Sequence, residues 1–198
     1  MWLDIWDKME ELNSRITRER YYLDYMELCQ DKRQRPKKIQ WVLKYTRALI
    51  HEVAEFYDEE DDHKSKIELI DILFFLVSVL QTAGWDKYAF EALMDKEHDP
   101  FDEDEYYAEN MIFSAIKIEQ ALPWKHWKSY TTGIDYNKLY TYIVAFVEDW
   151  KEHIYVVYKM TPENVHRAFL DKLGVNHQRQ NDGYHEKKKD DDIHVRTT

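Results

Sequence analysis

One stretch limits the fold of this chain more than any other. Residues 67 to 80 read IELIDILFFLVSVL, and their only polar members are Glu68, Asp71 and Ser78. A helix this apolar is buried almost all round. Glu68 and Asp71 are three residues apart, so both carboxylates share one helical face. Taking unpaired carboxylates out of water costs roughly several kcal/mol each, and two side by side also repel. Either a hard divalent cation or a Lys or Arg from a neighbouring element must offset that cost. Glu52 and Glu55 form a second pair of the same spacing, upstream across the polar connector DEEDDHKSK. Alone, such a pair is ordinary for an exposed helix face. If the second helix returns antiparallel, four carboxylates converge, as in carboxylate metal sites of helix bundles. Mg2+ suits such an oxygen-only set and keeps waters for substrate phosphates.

The surrounding composition favours helices. The 198 residues suffice for one domain with a real core, and only 4 Gly and 4 Pro interrupt them. The net charge of −11 argues against binding duplex nucleic acid, although a metal can reverse the local sign for a free nucleotide. The longest unbroken apolar run, 72 to 77, is far below the ~20 residues of a membrane span. A single cysteine, Cys29, and an acidic start without a basic leader region predict a reducing, cytoplasmic setting, the host cytoplasm for a viral protein.

Along the chain, residues 2 to 30 read as one amphipathic helix with Trp2, Ile5, Trp6, Met9, Leu12 and Ile16 on its stripe. Asn13, at the edge of that stripe, reads from spacing alone as a surface residue. Further helices are expected over 38–57, 64–82 (stopped by Gly84), 85–95, 103–121 and 136–158. Thr161 and Pro162 mark the start of a last helix, which meets Gly174. The expectation is an all-α fold with a four-helix-bundle core and additional helices, forming one domain over 1–184. The charged tail 185–198 is expected to be disordered, or ordered only on binding. IKIEQAL and KLYTYIVAFVEDW faintly repeat HEVAEFY and KIELIDILFFLVS, which suggests a degenerate second helix pair without the carboxylates.

Near the C-terminus, KLGVNHQRQNDGY places Lys172, Asn176 and Arg179 on one helical face. An ammonium, an amide and a guanidinium fork suit polyphosphate oxygens, while the plain alternative is a charged helix end. This stretch resembles the terminal motif of the dimeric dUTPases and phage dCTPase-dUTPases, within the all-α, MazG-like nucleoside-triphosphate pyrophosphohydrolases. Lys172, Asn176, Arg179, Gln180, Gly183 and Tyr184 match that motif, and Leu173 departs from its usual Asn. The ordered ExxE and ExxD pairs resemble the family's metal signature. MEELN resembles its LQxxLN, with Asn13 matching and Met9 replacing Gln. The family's Trp/Lys-rich segment normally lies between the acidic helices, whereas WKHWK here falls at 124–128.

The resemblance implies Mg2+-dependent hydrolysis of dUTP to dUMP and pyrophosphate, with dUDP as a further substrate, by a homodimer. Glu52, Glu55, Glu68 and Asp71 would hold two or three Mg2+ ions, with Mn2+ as a substitute, and Glu55 would orient or deprotonate the attacking water. Lys172, Asn176, Arg179 and Tyr184 would bind phosphates. Asn13 and Met9 would face the base, and Trp124 or Trp127 would stack on it. Because Met9 offers almost no hydrogen bonding, weaker discrimination between uracil and cytosine is expected. A dCTP or broader dNTP pyrophosphatase is the nearest alternative. A catalytically dead helical interaction protein is the alternative from another class. Neither acidic pair carries the His of carboxylate-bridged iron bundles.

Overall fold

The computed structural model describes residues 1–30, 36–98, 110–123, 133–181, 192 and 194–198. Every regular element among them is helical: α1 (Trp2–Tyr21), α2 (Tyr25–Gln30), α3 (Pro36–Asp58), α4 (Asp62–Ala83), α5 (Lys87–Asp95), α6 (Asn110–Gln120), α7 (Tyr136–Lys151), a π-helical turn (Glu152–Val157) and α8 (Pro162–Asn181). The fold is all-α, as expected. No helix among the described residues is long and apolar enough to cross a membrane.

Local chemistry sets most of the boundaries. Asp61 caps α4 by accepting from the Lys64 amide at 3.0 Å, and Asp86 caps α5 by accepting from Tyr88 and Ala89. Thr161 and Asn164 exchange backbone and side-chain hydrogen bonds at the start of α8, with Pro162 in the first turn. Gly84 ends α4 at φ +94°, in the left-handed region that glycine enters without a Cβ penalty.

One helix departs from the sequence-based expectation. The predicted single helix over 2–30 is broken: Tyr22 adopts φ 51° and caps α1, its amide bonding back to Arg18. Helix α8 continues through Gly174 to Asn181. Of the described tail residues, Val195 and Thr197 are buried, and Arg196 forks onto Asp171 at 2.8 Å.

The core lies between two antiparallel helix pairs. In the first, α4 runs back along α3, so that Gly84 closes against Lys38 at the far end. In the second, α7 returns along α6: the Asp135 amide donates to the Ala121 carbonyl, and the Ser114 hydroxyl donates to Asp149 at 2.5 Å. The pairs meet through α3 against α6, and the Trp150 indole on α7 donates to the Leu69 carbonyl on α4. Leu49, Val53, Leu69, Ile70, Leu73, Ile143, Phe146 and Trp150 are fully enclosed. Helix α1 packs on α4, α5 and α8, which brings Asn13 towards the first pair. Cys29, on α2, is half-buried, and burial pushes its thiol up to about 12.

Candidate active site

A cavity of about 420 Å³ opens where α1, α3, α4 and α8 converge. Asn13, Glu52, Glu55, Asp71, Lys172, Asn176, Arg179 and Gln180 all line it, although they come from four helices spread over most of the chain. Its carboxylate wall follows from the antiparallel return of α4 on α3. One carboxylate oxygen from each of Glu52, Glu55 and Glu68 lies within 4.8 Å of the others. Ligand oxygens around one Mg2+ at ~2.1 Å sit about 3–4 Å apart, so small side-chain adjustments would let these three hold the ion. The donor set, hard anionic oxygens alone, also fits Mg2+.

Asp71 stands apart from that cluster. Its carboxylate meets the Lys172 ammonium at 2.7 Å, so the lysine alternative weighed for the acidic helix holds for this residue. Lys172 is 1% exposed and also meets Asp192 at 3.0 Å. Burial pulls its ammonium down, yet Asp71 and then Asp192 hold it above the ordinary lysine range. Arg179, two turns further along α8, reaches the same Asp192 at 3.3 Å. Lys172, Asn176 and Arg179 thus line the cavity from one face of α8, a wall with two cations, and Lys172 meets the carboxylate side through Asp71.

The third wall is polar but uncharged. Asn13 is 3% exposed, not a surface residue. Its amide orientation can be derived from its neighbours. The Gln81 amide nitrogen donates to the Trp6 carbonyl at 2.9 Å, so the Gln81 oxygen must point the other way, towards Tyr25 and Asn13. The Tyr25 hydroxyl donates to that oxygen at 2.9 Å and the Ser78 hydroxyl donates to the Phe74 carbonyl at 2.9 Å. Both hydroxyl oxygens are left as acceptors. Asn13 Nδ2 lies 3.0 Å from Ser78, 3.1 Å from Tyr25 and 3.3 Å from Gln81, three acceptors for its two protons. Its Oδ1 faces the other way and accepts from the Tyr45 hydroxyl at 3.3 Å. Burial raises the Tyr25 and Tyr45 hydroxyls well above the usual tyrosine value, so both stay protonated donors.

Some expected residues fall elsewhere. Met9 is 2% exposed in the core and does not line the cavity. The reason to expect weak base discrimination at Met9 is thereby removed. Trp124, Trp127 and Tyr184 lie outside the described residues. Sequence reasoning missed Tyr21, Trp41, Lys44 and Tyr45, which form an aromatic lip. The Lys44 ammonium sits over the Tyr21 and Trp41 rings at 4.1 and 4.4 Å. A signal existed: Trp41 and Tyr45 are four residues apart, and Glu52 follows one heptad later on the same face. A larger cavity, about 620 Å³, lies at the other end of α4 beside Gly84 and Trp85 and gathers none of the predicted site residues.

A family model described as dUTPase matches residues 2–184. No curated protein and no solved structure showed a match to the chain. The family match spans the carboxylate, cation and amide walls alike, so the chain belongs to the dUTPase family and is a hydrolase of the dUTP diphosphatase kind.

Proposed function

We propose that the chain hydrolyses dUTP to dUMP and pyrophosphate in a Mg2+-dependent reaction, with dUDP as a second substrate. One observation carries this reading: a single cavity joins a carboxylate cluster, a cationic helix face and a buried amide of fixed orientation. Glu52, Glu55 and Glu68 would hold the metal, and Asp71 would join them once Lys172 turns to the substrate. The ion held there would supply positive charge against the phosphates and would acidify an attacking water. Glu55 is the most exposed of the three carboxylates, so it is placed to meet a water and orient or deprotonate it. Lys172 and Arg179 counter charge developing on the phosphoryl oxygens, and Asn176 adds a neutral donor.

The amide wall supports uracil. Asn13 presents an acceptor, Oδ1, because both of its protons are committed to Ser78, Tyr25 and Gln81. Uracil carries a proton on its ring N3 and can donate to that oxygen, whereas N3 of cytosine is a lone pair and would meet it oxygen to nitrogen without a proton. Tyr45 still donates to Oδ1 when cytosine is bound, so what cytosine forfeits is one further hydrogen bond, worth about 1 kcal/mol or roughly fivefold in kcat/KM. Thymine shares the N3 proton, and family membership favours uracil between the two. Trp41 and Tyr45 are placed to flank the base. The chain would work as a cytoplasmic homodimer, for which the outward Phe113 and Ile116 on α6 offer apolar surface.

Pyrophosphate release with Mg2+, measured across dUTP, dCTP, dTTP, dATP and dGTP, tests the proposal. We expect dUTP to lead dCTP by about fivefold in kcat/KM. Equal rates on dUTP and dCTP would refute the base assignment, and no release from any nucleotide would refute the reaction.

A further inference from the structure

The tail beyond the family match ends in an acidic block and an apolar anchor, DDDIHVRTT. Its described residues are fixed at several points. Val195 is 2% exposed, Arg196 pairs with Asp171 on α8, and Thr197 lies 3.0 Å from the His63 ring at the start of α4. The Arg167 guanidinium donates to the Thr198 carbonyl. These anchors hold Asp192 at the mouth of the cationic wall. There its carboxylate meets Lys172 at 3.0 Å and Arg179 at 3.3 Å. Burial pushes the Asp192 carboxyl up, but the lysine and then the arginine hold it below the usual range, so it stays ionised at neutral pH.

A carboxylate between an ammonium and a guanidinium has the charge sign and the oxygen geometry of one face of a phosphoryl group. Lys172 already has Asp71 at 2.7 Å on its other side. A polyphosphate approaching this pair would therefore meet an extra negative charge, unless Asp192 withdraws. We propose that the C-terminal tail is an intramolecular competitor for the triphosphate. Asp192 stands in for a phosphate in the nucleotide-free enzyme, and substrate must displace it. The inference rests on the assignment of Lys172 and Arg179 to phosphate. The opposite view, in which Asp192 merely props the cations in place for substrate, makes the opposite prediction for its removal.

Two full-length variants decide between them. Asp192→Asn removes the charge, and Val195→Asp unseats the anchor without touching the cationic wall. Binding of inorganic triphosphate is measured by calorimetry, alongside KM and kcat for dUTP. In both variants triphosphate should bind about fivefold or more tighter, with KM falling in parallel and kcat unchanged. Unchanged or weaker triphosphate binding in both variants overturns the inference, as does tightening in Asp192→Asn alone, which would mark a local charge effect rather than displacement of the tail. If the wild type hydrolyses no nucleotide but both variants bind triphosphate more tightly, the proposed function fails and the competitor stands.

Discussion

The two antiparallel helix pairs, α3 with α4 and α6 with α7, handle acidic residues in opposite ways. The first gathers Glu52, Glu55 and Glu68 within 4.8 Å and sets Asp71 against a buried lysine. At the positions of Glu68 and Asp71 in the faint repeat, the second pair carries Tyr140, which stacks on Trp85, and Ile143, which is fully buried. Its one deeply buried interhelical acid, Asp149, takes a hydrogen bond from Ser114, and burial pushes its carboxyl upward. The first pair sets Asp71 against a buried lysine, and the second buries Asp149 against a hydroxyl, where its proton affinity rises. Among the described residues, the first pair alone gathers three carboxylates closely enough to hold one metal ion. Carboxylates are costly in a helix interface, and the three that cluster in the first pair are the observation that supports the proposed metal site there.

The sharpest way to break this comparison is to neutralise one acid in each pair. Glu68→Gln and Asp71→Asn should each lower pyrophosphate release by about 10³-fold or more, the scale lost when a charge-stabilising group goes, while the helical circular dichroism is kept. Asp149→Asn should leave turnover near the wild-type rate. Wild-type rates in both first-pair variants would show that the carboxylates hold no essential metal. A smaller effect belongs to the second pair alone. Ser114→Ala leaves the Asp149 carboxyl without its donor, and urea denaturation should register a loss of about 1–3 kcal/mol. No loss would mean that Asp149 finds another partner.

The smallest expected effect concerns pH. His153, in the π-helical turn, bonds the Asp149 carbonyl through Nδ1 at 2.8 Å and packs edge-on to Phe56. Burial lowers its pKa from 6.5, against a weaker pull upward from that carbonyl and from Glu152. The unfolded chain therefore takes up a proton near 6.5 that the folded chain accepts only at lower pH. Stability from this residue is full above that value and declines as pH falls through the folded pKa. Urea midpoints measured from pH 7 downwards should decline less steeply in His153→Phe, and parallel declines would acquit the residue.

Much of this was legible in the residues. The apolar run around Glu68 and Asp71 predicts a buried helix, Gly84 marks the end of that same helix, and Thr161 marks the start of α8. The face shared by Lys172, Asn176 and Arg179 is plain periodicity. What the sequence could not reveal depends on where helices meet. Tyr22 breaks α1 with no glycine to signal it, because tertiary packing of α2 decides that turn. Asn13 reads as a surface residue until Tyr25, Ser78 and Gln81, up to 68 positions away, close around it. Met9 sits on the stripe one turn earlier, and only the packing of α1 against α4 and α5 assigns it to the core instead of the cavity. The stretch 185–198 reads as too polar to order; of its described residues, Val195 is buried and Arg196 pairs with Asp171 on α8.

The raised proton affinity of Cys29 has a practical consequence. Thiolates react with alkylating reagents and oxidants, whereas thiols hardly do. Burial holds the thiol of the chain's one cysteine up, so its thiolate fraction at neutral pH should fall well below that of an exposed cysteine. Slow labelling of the unsubstituted protein by maleimides is the expected outcome, checked by mass spectrometry against an exposed thiol. A cysteine introduced on an exposed surface, at Tyr88 for example, would be the one fast-reacting thiol, and a single fluorophore there could report on the enzyme with its native sequence otherwise intact.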